Sequence, residues 1–151
     1  MPLPTPADPA FRQRVHESFA RQAVMLTLGA RLEVADAGRV VIVMAHKPEL
    51  SQQHGFLHAG IVSTALDSAC GYAAFSLMPA DAAVLTIEFK VNLLAPARGP
   101  WFRFEGLVTK AGRTISVVEG KAWQHEAGGP ETLCATMTAT VMTVHGRGLT
   151  H

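Results

Sequence analysis

The chain has 151 residues, of which 48% are hydrophobic and 17% charged, and a formal net charge of +1 with histidine neutral. A chain of this length can bury a core of its own, and this composition is that of a globular protein, so we predict a single domain over residues 1–151. The near-neutral charge, without any run of lysine or arginine, argues against nucleic acid and an anionic membrane as partners.

The N-terminal part of the chain predicts a helix over about residues 8–24. Asp8 is a suitable N-cap, and Pro9 fits the first helical position. Apolar residues then recur every four positions, at Phe11, Val15, Phe19 and Ala23. This spacing is typical of an amphipathic helix.

Two features predict a cytoplasmic location. The segment before the helix, MPLPTPADPAFRQR, has no apolar stretch and no small-residue cleavage site, so we expect no export signal. The two cysteines, Cys70 and Cys134, both lie in apolar segments. This placement predicts reduced, buried thiols in a protein of a reducing compartment.

The core of the domain is predicted over about residues 25–145 and begins with a β-hairpin. Two apolar runs, MLTLGARLEVA from Met25 and RVVIVMA, flank the turn residues 36–38, Asp-Ala-Gly. Residues 47–57 are polar and contain proline and glycine, which predicts a loop.

A long buried helix is predicted next, over residues 58–78, HAGIVSTALDSACGYAAFSLM. Asp67 is its only formal charge, and a carboxylate among apolar residues is costly unless it is paired or used. A membrane span is disfavoured because Asp67 would lie at its centre, at a cost of about 2.5–3.5 kcal/mol. The helix should end near Met78-Pro79.

Four strands follow the helix. In residues 85–93, LTIEFKVNL, apolar and polar residues alternate strictly, which predicts one apolar and one polar face. Three further strands are predicted over 101–110, 113–124 and 132–144, and their short connections favour antiparallel neighbours. The order predicts an α+β fold, in which a curved antiparallel sheet of about six strands wraps a long central helix. The open edges of such a sheet favour pairing into a dimer.

Common catalytic and metal-binding motifs are absent from the sequence. It contains no G-x-S-x-G, P-loop, G-x-G-x-x-G or H-E-x-x-H pattern. His54 and His58 form a pair at i, i+4, but no cysteine or carboxylate nearby completes a ligand set. We therefore predict no metal site.

The N-terminus of the long helix is a candidate site. Such an end offers unpaired N–H groups and the positive end of the helix dipole, which suit an oxyanion, and Gly60 would allow a close approach. The alternative is a plain helix cap.

Asp67 lies nine residues after His58, about 13 Å along the axis and half a turn out of phase. One copy of the helix therefore cannot present both its N-terminal N–H groups and Asp67 to one substrate, whereas two antiparallel copies in a dimer can. The alternative for Asp67 is a purely structural carboxylate bonded to Ser63 or to a strand.

Three stretches in this order carry a resemblance to a known family: HGFLHAGIVSTALDSACGYAA, LTIEFKVNLLAPARG and TKAGRTISVVEGKAW. Through them the chain resembles the hotdog-fold acyl-CoA thioesterases of the phenylacetate-degradation (PaaI-like) family. The resemblance extends from about Gln52 to Thr140. It implies two subunits that join their sheets, active sites at the dimer interface, hydrolysis of acyl-CoA, and no metal or organic cofactor. It leaves open whether two dimers associate further into a tetramer.

The resemblance also assigns the central catalytic roles. His58, Ala59 and Gly60 match the family's H-G-G, and Asp67 matches its catalytic carboxylate. Asp67 would act as general base on water or as nucleophile on the thioester. The Ala59 N–H of the other subunit would bind the carbonyl oxygen, although a methyl group stands here where the family has glycine and narrows the approach. His58 would orient the loop or the thioester.

Further residues are assigned by the same resemblance. Gln52 takes the place of a polar residue that is usually Asn, and Thr86 would help the attacking water. The coenzyme A contacts would come from a turn and a nearby arginine: Lys110, Ala111, Gly112, Arg113, Thr114 and Arg98. Phe56, Leu57, Tyr72 and the N-terminal helix would line an acyl pocket for an aryl or short-to-medium chain.

Three alternative functions stay open on this scaffold. The first is an acyl hydratase or dehydratase, although the His-plus-acid motif of those relatives is not found. The second is a non-catalytic acyl-CoA-binding protein, and the third is a purely structural dimer.

Overall fold

A computed structural model describes residue 2 and residues 4–149. The helices in this part of the chain are α1 (Phe11–Arg21), α2 (Ala23–Leu28) and α3 (Ala59–Phe75), with a 3₁₀ turn at Pro48–Leu50. The strands are β1 (Arg31–Asp36), β2 (Arg39–Ala45), β3 (Ala83–Leu93), β4 (Trp101–Lys110), β5 (Ile115–His125) and β6 (Thr132–Val144).

Within the described residues, the six strands form one antiparallel sheet in the order β1-β2-β4-β5-β6-β3. Helix α3 packs against the inner face of this sheet, so the predicted α+β arrangement of a sheet wrapped around a long helix is confirmed. The strands predicted after α3 are found within two residues of their expected bounds. Strand β3 lies at an edge of the sheet, although it precedes β4 in the chain.

Helix α3 lies unusually close to the sheet at two glycines. Gly106 of β4 and Gly120 of β5 are paired in register. A Cβ atom on Gly106 would lie 2.3 Å from the carbonyl oxygen of Ala69, and one on Gly120 would lie 2.9 Å from the Cys70 sulfur. The two glycines therefore leave the space that the middle of the helix occupies, and they fix the depth at which Asp67 enters the fold.

The prediction of one N-terminal helix over residues 8–24 was wrong at both ends. Helix α1 begins at Phe11, because the Asp8 carboxylate accepts the Ala10 N–H (2.9 Å) in a preceding turn. It ends at Arg21, since the backbone of Gln22 is extended (ψ 97°). The chain then starts a second helix in a new direction.

The expectation of a strand from Met25 was also wrong. Residues 25–28 belong to α2, where Met25 and Leu28 are buried in the core. Gly29 ends this helix in the left-handed conformation (φ 69°), and the first strand begins only at Arg31. The hairpin at Asp36-Ala37-Gly38 is confirmed.

The strict alternation predicted for β3 is interrupted. A bulge between Thr86 and Glu88 shifts the register with β6. Thr86 pairs with Val141, and Phe89 pairs with Ala139. The two β6 partners, Val141 and Ala139, are buried on the inner face of the sheet. Thr86 therefore lies on the same face as Phe89, toward α3, and not on the opposite face as strict alternation predicts.

The last two points concern the end of α3 and the length of the helices. The long helix ends at Phe75, three residues before Met78, and residues 76–78 form a turn. None of the helices in residues 4–149 is both long and apolar enough to cross a bilayer.

Candidate active site

The carboxylate of Asp67 is held between α3 and the edge strand. Its Oδ1 accepts a hydrogen bond from the Thr86 hydroxyl (2.8 Å), while the Ser63 hydroxyl donates to the Ala59 carbonyl oxygen (2.8 Å) instead. Burial raises the pKa of Asp67, and the Thr86 hydrogen bond partly opposes that rise. A carboxylate with a raised pKa is a stronger base than an exposed one, provided that it stays ionised.

A cavity of about 400 Å³ opens beside Asp67. Val84, Leu85 and Thr86 of β3 form one wall, and Ser68, Gly71 and Tyr72 of α3 form the floor. The remaining wall comes from the N-terminal helices, through Ser18, Arg21 and Gln22. The sequence analysis missed Ser18, Arg21 and Gln22 as individual site residues, because no proline or glycine signals the break at Gln22.

The N-terminus of α3 is capped by His58. Its Nδ1 accepts the Gly60 N–H (2.8 Å), so the proton of the neutral ring is carried by Nε2. A Cβ atom on Gly60 would lie 3.0 Å from that Nδ1, so the glycine makes room for the histidine ring. In this arrangement the free nitrogen of His58 is a donor, which suits orienting a carbonyl and does not suit a general base.

The N–H of Ala59 is available for a ligand. No backbone or side-chain acceptor in residues 4–149 is bonded to it, whereas the N–H groups of Ile61 and Val62 donate to the His58 carbonyl oxygen. Ala59 is the first residue of α3, where the backbone N–H groups point along the axis toward the end of the helix. A carbonyl oxygen or oxyanion placed there would meet both the N–H and the positive end of the helix dipole.

The loop before α3 forms a second cavity, of about 480 Å³. The Gln52 side chain accepts the His54 N–H. The backbone N–H of Gln52 donates to the Phe56 carbonyl oxygen (2.8 Å), and its carbonyl oxygen accepts the N–H of Gly55 (2.9 Å), whose φ is 85°. The lining of this cavity includes Gln52, Phe56, Leu57, His58, Ala59, Leu93 and Cys134. The structure thus brings Gln52, His58 and Ala59 together, and it places Asp67 and Thr86 in the other cavity.

The residues predicted to contact coenzyme A lie at two ends of the sheet. The turn 110–114 joins β4 to β5, and its Thr114 carbonyl accepts the Thr143 N–H (2.8 Å) at the end of the sheet where Thr86 lies. Arg98 lies at the opposite end, with its guanidinium 4.8 Å from the centre of the Phe56 ring. Gly112 is required in the turn because a Cβ atom there would lie 2.1 Å from the Ile115 carbonyl oxygen.

The two cysteines are unsuited to nucleophilic catalysis. Both are buried and free, as the sequence predicts. Burial, and secondarily the charge of Asp67, raises the pKa of Cys70 to about 12, and burial raises that of Cys134 to about 11. Both thiols are therefore protonated at neutral pH. No group of three or more His, Cys, Asp or Glu side chains in the described part of the chain is arranged to hold a metal ion.

Comparison with known proteins places the chain in a class. Residues 54–130, just over half of the chain, match the profile of the Thioesterase superfamily. A Sulfurisphaera tokodaii protein provisionally named an esterase is 30% identical over 114 residues, which are 76% of this chain and 81% of that protein. A Saccharolobus solfataricus protein with a similar name is 40% identical over 85 residues, which are 56% of this chain and 59% of that protein. The chain therefore belongs to the thioesterase superfamily, a class of thioester hydrolases.

Solved structures narrow the class to one fold. A thioesterase family protein from Silicibacter pomeroyi is 57% identical, with a TM-score of 0.88 over 90% of this chain and 99% of that one. The PaaI protein from the phenylacetic acid degradation operon of E. coli is 18% identical, with a TM-score of 0.82 over 93% of this chain and 97% of that one. The predicted PaaI-like hotdog fold is confirmed.

Proposed function

We propose that this protein hydrolyses the thioester bond of an acyl-CoA with an aryl or short-to-medium acyl chain, releasing the free acid and coenzyme A. The observation that carries the proposal is the position of Asp67. It is a half-buried carboxylate with a raised pKa, held by Thr86 at the edge of a cavity, on the fold of a thioesterase. Neither a metal nor an organic cofactor enters the proposed reaction.

The proposed chemistry needs a base or nucleophile and an oxyanion donor. As a base, Asp67 takes a proton from water while the water oxygen attacks the thioester carbonyl carbon. The tetrahedral intermediate then breaks its C–S bond, and the coenzyme A thiolate leaves with the proton that Asp67 took up. As a nucleophile, Asp67 attacks that carbon itself, expels the coenzyme A thiolate, and forms an anhydride that water then cleaves. In both routes the negative charge on the carbonyl oxygen is stabilised by the free N–H of Ala59, and the Nε2–H of His58 orients the thioester.

The two halves of this site are proposed to meet across a dimer interface. The edge strand β3 exposes Leu85, Ile87, Phe89 and Leu93, and its outer backbone groups have no strand partner among the described residues. Antiparallel pairing of two copies of β3 about a two-fold axis would set the Thr86 end of one copy beside the Leu93 end of the other. The Asp67 cavity of one subunit would then adjoin the Ala59 cavity of its partner.

Assembly beyond the dimer and the cellular location remain predictions. A dimer of dimers is compatible with this scheme, because pairing through β3 leaves the outer face of the sheet uncovered. The proposed cytoplasmic location continues to rest on the two free thiols.

The direct test is hydrolysis of a panel of acyl-CoA thioesters, measured as released thiol. We expect turnover of at least one aryl or short-to-medium substrate by the purified protein. Tight binding of acyl-CoA without thiol release would favour the non-catalytic binding protein. Hydration of an enoyl-CoA without thiol release would favour the hydratase.

A prediction for the coenzyme A end concerns Arg113, which is exposed in the β4–β5 turn without a carboxylate partner in residues 4–149. If Arg113 binds a nucleotide phosphate, Arg113→Ala should raise KM for acyl-CoA several-fold, more at low salt, with kcat little changed. The matched substrate is the acyl-pantetheine thioester, which lacks the nucleotide phosphates and should be almost unaffected. Equal losses on both substrates would show that Arg113 supports the fold.

A further inference from the structure

The cavity beside Asp67 extends along α3 toward the N-terminal helices. Gly71 lies one helical turn beyond Asp67 on the same face of α3, and a Cβ atom there would meet no other atom within 4 Å. Tyr72 follows it, about 7 Å along the helix axis from Asp67. The open floor at Gly71 thus leads from the carboxylate toward the N-terminal helices.

Hydrogen-bonding groups line this cavity from Ser68, next to Asp67, to Tyr72 at the far end. The hydroxyl groups of Tyr72 and Ser18 lie 3.2 Å apart, and the Ser68 hydroxyl donates to Oε1 of Gln22 (3.0 Å). The amide nitrogen of Gln22 then has no acceptor within residues 4–149. The hydroxyl groups of Tyr72, Ser18 and Ser68 are thus already hydrogen-bonded, and a plain aliphatic chain would leave the Gln22 amide nitrogen as the one group of this set without a partner, at a cost in binding.

The same end carries an unpaired positive charge. Arg21 lines the cavity, and no carboxylate in the described part of the chain lies within ion-pair distance of its guanidinium. Burial raises the pKa of Tyr72, while the Ser18 hydrogen bond and the charge of Arg21 act in the opposite direction. Arg21 lies three residues after Ser18 on the same face of α1, and Ser18 is bonded to Tyr72, so this charge lies toward the Tyr72 end of the cavity.

We propose that the acyl group of the preferred substrate ends in a carboxylate, which Arg21 binds at the far end of the Asp67 cavity, with Gln22 and Tyr72 as additional donors. A chain of about five carbon atoms spans the distance from a thioester at Asp67 to Tyr72. The substrate class is thus the monothioester of a short dicarboxylic acid. This inference rests on the proposed hydrolysis and names its substrate class. The joint between α1 and α2 at Gln22 is the specificity-determining element.

The test compares adipyl-CoA with hexanoyl-CoA, which have acyl chains of equal length and the same coenzyme A. We expect the wild-type protein to prefer adipyl-CoA by about tenfold in kcat/KM, since a charge-assisted hydrogen bond is worth about that factor. Arg21→Gln should remove this preference, because it should lower kcat/KM for adipyl-CoA far more than for hexanoyl-CoA. Arg21→Lys should keep part of it.

Arg147→Gln is the control, because it removes one exposed positive charge near the C-terminus and should leave the preference unchanged. Gly71→Ala tests the path of the chain. Its methyl group should lower kcat/KM for adipyl-CoA and hexanoyl-CoA alike, and acetyl-CoA much less.

Each outcome bears on one of the two proposals. If hexanoyl-CoA is hydrolysed as well as adipyl-CoA, or if Arg21→Gln keeps the preference, the carboxylate site is wrong and the proposed hydrolysis stands. If no acyl-CoA in the panel releases thiol, the proposed function itself is wrong. An equal loss on acetyl-CoA with Gly71→Ala would show that the chain does not run over Gly71.

Discussion

Asp67→Asn should lower kcat for acyl-CoA hydrolysis by about 10²–10⁴-fold. The amide keeps the shape of the carboxylate, and its carbonyl oxygen can still accept the Thr86 hydroxyl, but it can neither take a proton from water nor attack a thioester. The measurement is steady-state release of coenzyme A. Asp81→Asn is the control, because Asp81 is an exposed carboxylate outside both cavities, and its turnover should be normal. Near-normal turnover by Asp67→Asn would refute the catalytic assignment.

The stability and the pH profile of Asp67→Asn separate a catalytic role from a structural one. Because burial raises the pKa of Asp67, the ionised group destabilises the folded state above its folded pKa, and this penalty disappears below its unfolded pKa. At neutral pH the Asn variant should therefore have a Tm equal to or above that of the wild type. Wild-type kcat/KM should fall as the pH drops through a midpoint above that of an ordinary aspartate, and the residual activity of the variant should not show this fall.

Hybrid dimers should restore activity that neither parent has. Ala59→Pro removes the proposed oxyanion donor while keeping the helix, because proline is favoured at the first helical position and the extended backbone of His58 (ψ 139°) is compatible with a following proline. Hybrids of Asp67→Asn and Ala59→Pro subunits, purified through two different tags, contain one site with both groups intact. These hybrids should recover about half of the wild-type activity per dimer, whereas each parent homodimer should keep only a small residual activity.

The controls for this experiment are two further proteins. Ala59→Gly keeps the N–H and should remain active as a homodimer. A doubly tagged Asp67→Asn dimer should stay inactive, which excludes an effect of the tags. An inactive hybrid of the two different variants would show that Asp67 and Ala59 of one subunit serve the same site, and a fully active monomer in sedimentation would exclude the shared site.

Much of the fold is predictable because it depends on local patterns. The buried helix around Asp67, the turn at Gly38 and the strands after α3 each follow from hydrophobic periodicity and turn residues within a short window. Asp67 could be singled out for the same reason, because a lone carboxylate in an apolar helix is conspicuous without any knowledge of its neighbours. The separation of Asp67 from the helix N-terminus follows from helix geometry alone.

The β3 bulge and the break at Gln22 could not be predicted, because each depends on residues distant in the chain. The side that Thr86 faces is set by the register of β3 with β6, more than fifty residues later, and alternation within β3 by itself gives the opposite answer. Helix α1 stops at Gln22 although no residue there breaks a helix, and the Gln22 side chain instead bonds to Ser68 on α3.

The sequence by itself determined most of the elements, the thioesterase resemblance and the candidate residues around Ala59 and Asp67, since these are properties of short segments and of their order. Only the tertiary structure decided which of those residues share a cavity. It joined Asp67 to Thr86 and to the N-terminal helices, and it placed Ala59 with His58 and Gln52 in a separate cavity. The physical reason is that a cavity is the space left between packed elements. Its lining therefore depends on how deeply α3 sits against the sheet and where α1 ends, which only the packing of the whole chain sets.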